Sequence, residues 1–366
     1  MSSVWLPCGD YHQDYAEDQG WWQSKVIKGK MILLLAIMFL GIPLLAPDYW
    51  LGIAVMVGYT AMGALGVQLL IGYTGLITLG HAAFIAVGAY TSTLLVLQFP
   101  WPPFIVQWGL AYPISIVVAG IVAGLWSVLF GLPSAKVKGF YLILTTMAAQ
   151  FITVDFILTQ YVSQIGGRGQ AFSLPPGTIK IGPWVIDNDF EVYYLMAALL
   201  TLMVIILANL LRSKVGRAWV AIRDNDIAAE ALGINIVWYK LLAFFVAGFM
   251  AGVAGAFWVS NTAALSPEHF PWFWSLWLVG VILIGGVGSI HGAIFGSIFM
   301  VVIMELLQMV AIPLADYYPK LLIDFAFIKD MAFGLAICAF LIYEPNGLAY
   351  RWWQVKNYFN LWPFSY

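Results

Sequence analysis

Long apolar runs constrain this chain more than any other feature. A helix crosses a bilayer with about 20 mainly apolar residues. Ten segments are read as such spans: roughly 31–47, 49–72, 76–98, 104–132, 140–162, 192–211, 241–259, 272–289, 292–312 and 329–344. The longest, 104–132, is expected to tilt or to kink at Pro113. The chain is 62% hydrophobic and 9% charged, where a soluble domain carries about 25% charged residues. The expected fold is therefore all-α: a polytopic integral membrane protein of about ten transmembrane helices. A tail at 1–30, a membrane domain at 31–345 and a second tail at 346–366 are the expected parts. The first thirty residues are polar and aromatic and hold four acids, unlike the short basic start of a cleavable signal peptide. The first apolar run is accordingly expected to be a retained helix.

The basic residues orient the spans. Lys25, Lys28 and Lys30 precede the first one and put the N-terminus on the cytoplasmic side. Ten crossings then place Lys136, Lys138, the stretch Arg212–Lys240, Arg351 and Lys356 on that side, with the C-terminus. Only Arg168, Lys180, Lys320 and Lys329 fall outside, a split of twelve to four that nine or eleven spans would scramble. The external stretch 163–191 is rich in Gly, Pro and polar residues, with two short strands expected at 179–181 and 184–186. It reads as a lid, a docking surface or a plain structured loop.

Two glycine-rich stretches interrupt the apolar pattern. GYTGLITLGHAAF holds Gly72, Thr74, Gly75, Thr78, Gly80 and His81; LIGGVGSIHGAIFG holds Gly285, Gly286, Gly288, His291 and Gly292. Irregular backbone at membrane depth is tolerated only where it is buried or lines a cavity, and broken helices of this kind serve transporter sites. The same glycines also suit close helix packing, as do the GxxxG spacings at Gly120/Gly124, Gly248/Gly252 and Gly292/Gly296. Thr146, Gln150 and Thr153 fall on one helical face. Asp155 and Glu305 lie inside spans and are expected to face the bundle interior or a wet path, Glu305 beside Gln308. Hydrogen bonding between helices or a proton relay would account for them. No metal site is expected from the two histidines or from Cys8 and Cys338, which also imply no disulfide framework. No nucleophile motif or acid–base pair marks an enzyme, and nothing in the net charge of −2 points to nucleic acid.

Arg212–Lys240 is a polar island holding five of the sixteen basic residues. Asp224, Asn225 and Asp226 suit a helix N-cap or first turn, Ile227–Leu232 is strongly helix-forming, and Gly233 is placed for a left-handed C′ cap. A helix of about two turns is unstable alone in water and needs a groove on a partner or tight packing on its own bundle. Ala and Leu are expected on one side of it, with Glu230 and Arg223 on the other.

GRAWVAIRDNDIAAEALGINIVWYKLLAF resembles the cytoplasmic coupling segment of ABC importer permeases, specifically LivM-like branched-chain amino-acid permeases. GYTGLITLGHAAFIAVGAY, GGVGSIHGAIFG and EPNGL at Glu344–Leu348 are similar to that family in order and spacing, over roughly residues 30–350. The resemblance implies one of two permease subunits in a bacterial cytoplasmic membrane. A LivH-like permease, two cytoplasmic ABC ATPases and an extracytoplasmic binding protein would be its partners. The implied coupling set is Arg217, Arg223, Asp224, Asp226, Ala229, Glu230, Ala231 and Gly233. A substrate pathway would take in Gly72, Thr74, Gly75, Thr78, His81, Gln150, Thr153, Gly285, Gly286 and Gly288. The chain has no G-x-x-x-x-G-K-[ST] loop; ATP and Mg²⁺ would belong to the partner subunits. The expected substrate is a branched-chain or other hydrophobic amino acid. Urea or a short amide is the alternative within the class, and proton-coupled transport through Asp155 or Glu305 the alternative outside it.

Overall fold

The computed structural model describes residues 25–136, 139–162, 172–173, 179–182, 184–186, 188–262, 264–315 and 320–361. The ten apolar segments fall largely on helix, but 76–80 is non-helical, and 104–132 is broken at 108–110, between the short helix Pro103–Gln107 and a helix that starts at Ala111, rather than kinked at Pro113. Helix α1 (Lys25–Ala36) continues through a π-type turn, Ile37–Gly41, to Leu45. Next come α2 (Asp48–Val67, widening into a π-type turn at Gln68–Tyr73), α3 (His81–Leu97) and α4 (Ala111–Lys136). Then follow α5 (Phe140–Phe151, continuing as π-type helix Ile152–Val162) and α6 (Asp189–Arg212). The polar island forms α7 (Lys214–Asp224) and α8 (Asp226–Ala231). The chain closes with α9 (Ile236–Thr262), α10 (Trp272–Gly285), α11 (Ile290–Ala315), α12 (Lys320–Tyr343) and α13 (Gly347–Leu361). Eight of the described helical stretches are long and apolar enough to cross a membrane, whereas His81–Leu97 is shorter. This is an all-α, multi-pass membrane protein. Most of the tail at 1–30, with Lys138 and Arg168, lies outside the described residues.

Helices α2 and α9 form the centre, each 78% buried across its apolar window, while α1 at 6% and α6 at 28% form the periphery. Glycines let the central helices touch backbone to backbone. A Cβ on Gly88 of α3 would lie 2.3 Å from Gly252 Cα of α9, and one on Gly252 would lie 2.6 Å from Ala119 O of α4. Gly120 and Gly124 face Phe249 and Phe245 across the same α4–α9 crossing, where the Ser127 hydroxyl donates to Phe244 O at 2.6 Å. Where no apolar effect separates helix from lipid, this contact packing and such hydrogen bonds drive association.

The two expected short strands are present, and the structure pairs them: β2 (Lys180–Ile181) runs antiparallel with β3 (Trp184–Val185). A second pairing was not legible in advance. β1 (Phe172–Ser173) pairs antiparallel with β4 (Ala264–Leu265), tying the long loop to the end of α9.

Helix α13 caps the end of the bundle that carries the island. Trp352 meets Phe295 edge to face at 5.9 Å, and Arg351 donates from Nε to Glu344 at 2.6 Å and also from Nη2. These hydrogen bonds hold the Glu344 carboxyl below the usual glutamate value. A carboxyl so lowered stabilises the fold above its unfolded pKa and loses that contribution as pH falls through the folded one. Amide protection in α13, taken relative to the intrinsic exchange rate at each pH, is expected to fall below about pH 4.3, the free glutamate value. Arg351→Met is expected to remove that pH dependence; a variant that keeps it would show that the clamp does not hold α13.

Candidate functional site

The two glycine stretches and the island converge at one end of the bundle. Helix α2 ends in its π-type turn, residues 75–80 are non-helical, and α3 begins at the fully buried His81. Ala82 N–H donates to Ser275 Oγ at 2.9 Å. At 1.5 Å per residue Ser275 is ~15 Å up α10 from Gly285. Helix α3 therefore starts well inside the bundle rather than at its edge. In a ten-span topology His81 is expected at a turn near the inner face. It lies deeper, packed edge to face on Phe84 and against Gly66.

Buried backbone at such a break needs partners, and side chains supply them. Thr146 Oγ1 accepts from Leu79 N–H at 3.1 Å, Thr78 Oγ1 accepts from Gly80 N–H at 3.3 Å, and Leu76 N–H donates to Leu70 O at 2.8 Å. Thr74 donates to Leu70 O at 2.6 Å. The stripe Thr146, Gln150 and Thr153 reaches three different neighbours. Gln150 Nε2 donates to Phe270 O at 2.9 Å, and Thr153 Oγ1 accepts from Trp126 Nε1 at 3.0 Å. Thr74, Thr78, Gln150 and Thr153 are all buried, so in this conformation they knit helices together.

The second stretch forms the tight α10–α11 turn. A Cβ on Gly285 would overlap Gly292 O, and one on Gly72 would lie 2.6 Å from Gly288 N. Both glycine stretches thus use the close-packing alternative, and they touch each other. Gln68 ties them: its Nε2 donates to Gly286 O at 3.1 Å and to Ser289 O at 2.8 Å. Gln68 was missed in the sequence, where its one signal was an amide inside an apolar run.

The acids behave differently from each other. Glu305 is half-buried and accepts from Tyr49 Oη of α2 at 2.5 Å, a bond between helices as expected. Gln308 accepts from Lys329 Nζ at 3.0 Å. Asp155 is exposed on the outside of the helix bundle, not in its interior. Two residues on from Thr153 in this π-type helix lies on the opposite side, so Asp155 is turned away from the buried stripe.

The island is folded as its cap residues dictate. Asn225 Oδ1 accepts from Ala228 N–H at 3.1 Å as N-cap of α8. At the other end Gly233 N–H reaches Glu230 O at 2.9 Å and Ile234 N–H reaches Ala229 O at 3.1 Å. That pair of bonds is a Schellman motif, and Gly233 has φ +85° as the motif requires. Helix α7 is anchored by the fully buried Trp219, whose Nε1 donates to Tyr239 O at 2.8 Å. Arg217 turns back to Arg212 O at 3.4 Å. Of α8, Ala229 is buried, while Ile227 and Leu232 project outward, 73% and 82% exposed. Glu230 and Ala231 are exposed with them, so the expected separation of apolar and charged sides is replaced by one mixed outward face. Between the island and the bundle lies a cleft of about 360 Å³ lined by Thr74, Gly75, Arg223, Asp224, Asp226 and the buried Lys240.

Residues 49–331 match the family described as the branched-chain amino acid transport system / permease component. The chain is 28% identical over 293 residues to the high-affinity branched-chain amino acid transport system permease protein LivM of Salmonella typhimurium, covering 74% of this chain and 63% of that one. The LivM protein of Escherichia coli matches to the same extent. The autoinducer 2 import system permease protein LsrC of Photorhabdus laumondii is 26% identical over 252 residues, covering 62% of this chain and 72% of that one. The chain thus spans less than two thirds of the length of the two LivM relatives. No solved structure matches it.

Proposed function

We propose a function from one premise: the chain belongs to the family of branched-chain amino acid transport system permease components. It is one membrane subunit of an ATP-driven ABC importer, and α8 is the element on which an ATPase subunit acts. The observation that carries this reading is the outward face of α8. Ile227 and Leu232 are exposed on a short helix capped at both ends, beside an anchored α7, in a polar stretch outside the apolar spans. Two large apolar side chains presented this way suit burial in a partner's groove. Chemical drive then comes from ATP and Mg²⁺ on the partner, and the permease contributes alternating access.

The substrate in this reading is a branched-chain or other hydrophobic amino acid, delivered by an extracytoplasmic binding protein and passed along a path shared with a second, LivH-like permease. The names of the two LivM relatives favour it. The buried hydroxyls and amide of Thr74, Thr78, Gln150 and Thr153 are the candidates for contacting a zwitterion once the bundle opens. The subunit is placed in the bacterial inner membrane with the island on the cytoplasmic side, as its basic residues favour.

The test is uptake by the complex reconstituted in vesicles with its ATPases and binding protein. Labelled leucine is expected to accumulate only with ATP inside the ATPase-facing compartment, and Thr78→Val is expected to change its half-saturating concentration. Accumulation driven by a proton gradient without ATP would overturn the reading in favour of a secondary transporter. ATP-driven uptake of urea or autoinducer 2 in place of leucine would overturn the substrate alone.

A further inference from the structure

Arg223 lies in the last turn of α7 and reaches a part of the chain 151 residues away. Its Nη1 donates to Gly72 O at 2.8 Å. Its stem lies along the Gly75 turn, where a Cβ would meet Arg223 Cγ at 3.1 Å. The other edge of the guanidinium, Nε and Nη2, donates to Asp224 Oδ1 at 3.0 and 2.9 Å. The carbonyl it holds belongs to the closing turn of α2, where unsatisfied acceptors and the negative end of the helix dipole favour a cation. Gly72 in turn abuts Gly288, and a Cβ on Gly288 would lie 3.5 Å from Arg223 Nη1. From the bundle side Gln68 grips the same turn through Gly286 O and Ser289 O. Three separate stretches of chain thus meet at one node: the end of α2 running into the 75–80 break, the α10–α11 turn and the tip of α7.

We propose that Arg223 is a positioning residue, the strut through which movement of α7 and α8 is passed to the α2–α3 break and the α10–α11 turn together. This rests on the coupling reading of α8, and gives that coupling its route into the membrane. The node suits transmission because its backbones are in contact and cannot move separately. The fork of an arginine matters here: one edge holds Gly72 O while the other holds Asp224, and Asp224 immediately precedes the Asn225 cap of α8. A lysine is a point charge and cannot hold both edges in one plane. Trp219 fixes α7 to α9, so Arg223 swings from an anchored helix.

Two measurements test this. In the full chain alone, in nanodiscs, Arg223→Met is expected to raise amide exchange at 72–80 and 286–289 while α9 stays as protected as before; unchanged exchange at both stretches would overturn the strut. In the assembled complex, Arg223→Met and Arg223→Lys are expected to retain the ATPase subunits but to lower substrate moved per ATP hydrolysed about ten-fold. A residue that merely capped α2 would reduce the amount of folded complex and leave that ratio alone, so an unchanged ratio would also overturn the proposal. Should the parent chain capture no ATPase subunit, the coupling reading of α8 fails, and with it the role of Arg223 as its strut.

Discussion

Gly88→Ala is expected to be among the most damaging single substitutions in the molecule, although it adds one methyl group. The new Cβ would sit 2.3 Å from Gly252 Cα and 2.4 Å from Gly252 O. Both are backbone atoms, so no side chain can rotate away and α3 must part from α9. That separation also loosens the Gly252–Ala119 contact with α4, where a Cβ on Gly252 has only 2.6 Å. Overpacking in a core costs about 1–3 kcal/mol, occasionally more, and the upper end applies where backbone meets backbone. Gly52→Ala in α2 is the matched control: nothing lies within 4 Å of its added Cβ, and alanine favours a helix by about 1 kcal/mol over glycine. Thermal unfolding followed by size-exclusion of the detergent-solubilised chain should show Gly88→Ala falling well below the parent and Gly52→Ala at or above it. Equal behaviour of the two variants would refute the close-packed centre.

Ile227→Asp with Leu232→Asp is expected to leave the chain folded and to abolish binding of the ATPase subunit proposed to act on α8. Both side chains are largely exposed, so the fold loses little when they change. Apolar anchors at a partner interface cost about 2 kcal/mol or more each when removed, roughly thirty-fold in affinity apiece. Copurification of the ATPase subunits reports the loss directly. Gly233→Pro tests the same element from inside. Proline fixes φ near −65°, far from the +85° of Gly233, and removes the N–H that reaches Glu230 O. The cap of α8 would open and its outward face would lose its shape. Full ATP-driven uptake by either variant would sink the coupling reading.

What could be read from the sequence was local. Most of each apolar run became helix because its neighbours along the chain sufficed to specify it. The α8 caps were legible for the same reason: Asn225 and Gly233 act on backbone groups within a turn of themselves. The short strands β2 and β3 were likewise legible, and the structure pairs them at Lys180↔Val185. The site was legible only in part, because its contacts are long-range. Arg223 was marked as a coupling residue, yet nothing in periodicity showed that it faces inward to Gly72. For Glu305 a bond between helices is an expectation the sequence supports, but it does not show that the partner is a phenol 256 residues away. The glycines were ambiguous for a physical reason: a missing Cβ permits a cavity and a close contact equally, and only the neighbour's position decides.

The early start of α3 has a bearing on how the protein meets its lipid. Helix α3 has 17 residues, ~26 Å at 1.5 Å per residue, short of a typical hydrocarbon thickness of about 30 Å. A lipid-facing helix of that length would thin the bilayer or tilt against it. Helix α3 is enclosed by α2, α4 and α9, so acyl chains do not set its length. Hydrophobic mismatch is felt by α1 and α6, whose apolar windows are mostly uncovered. The broken, polar-lined part of the molecule is thereby insulated from membrane thickness, and changes in lipid composition should act on the rim of the bundle before they reach its centre.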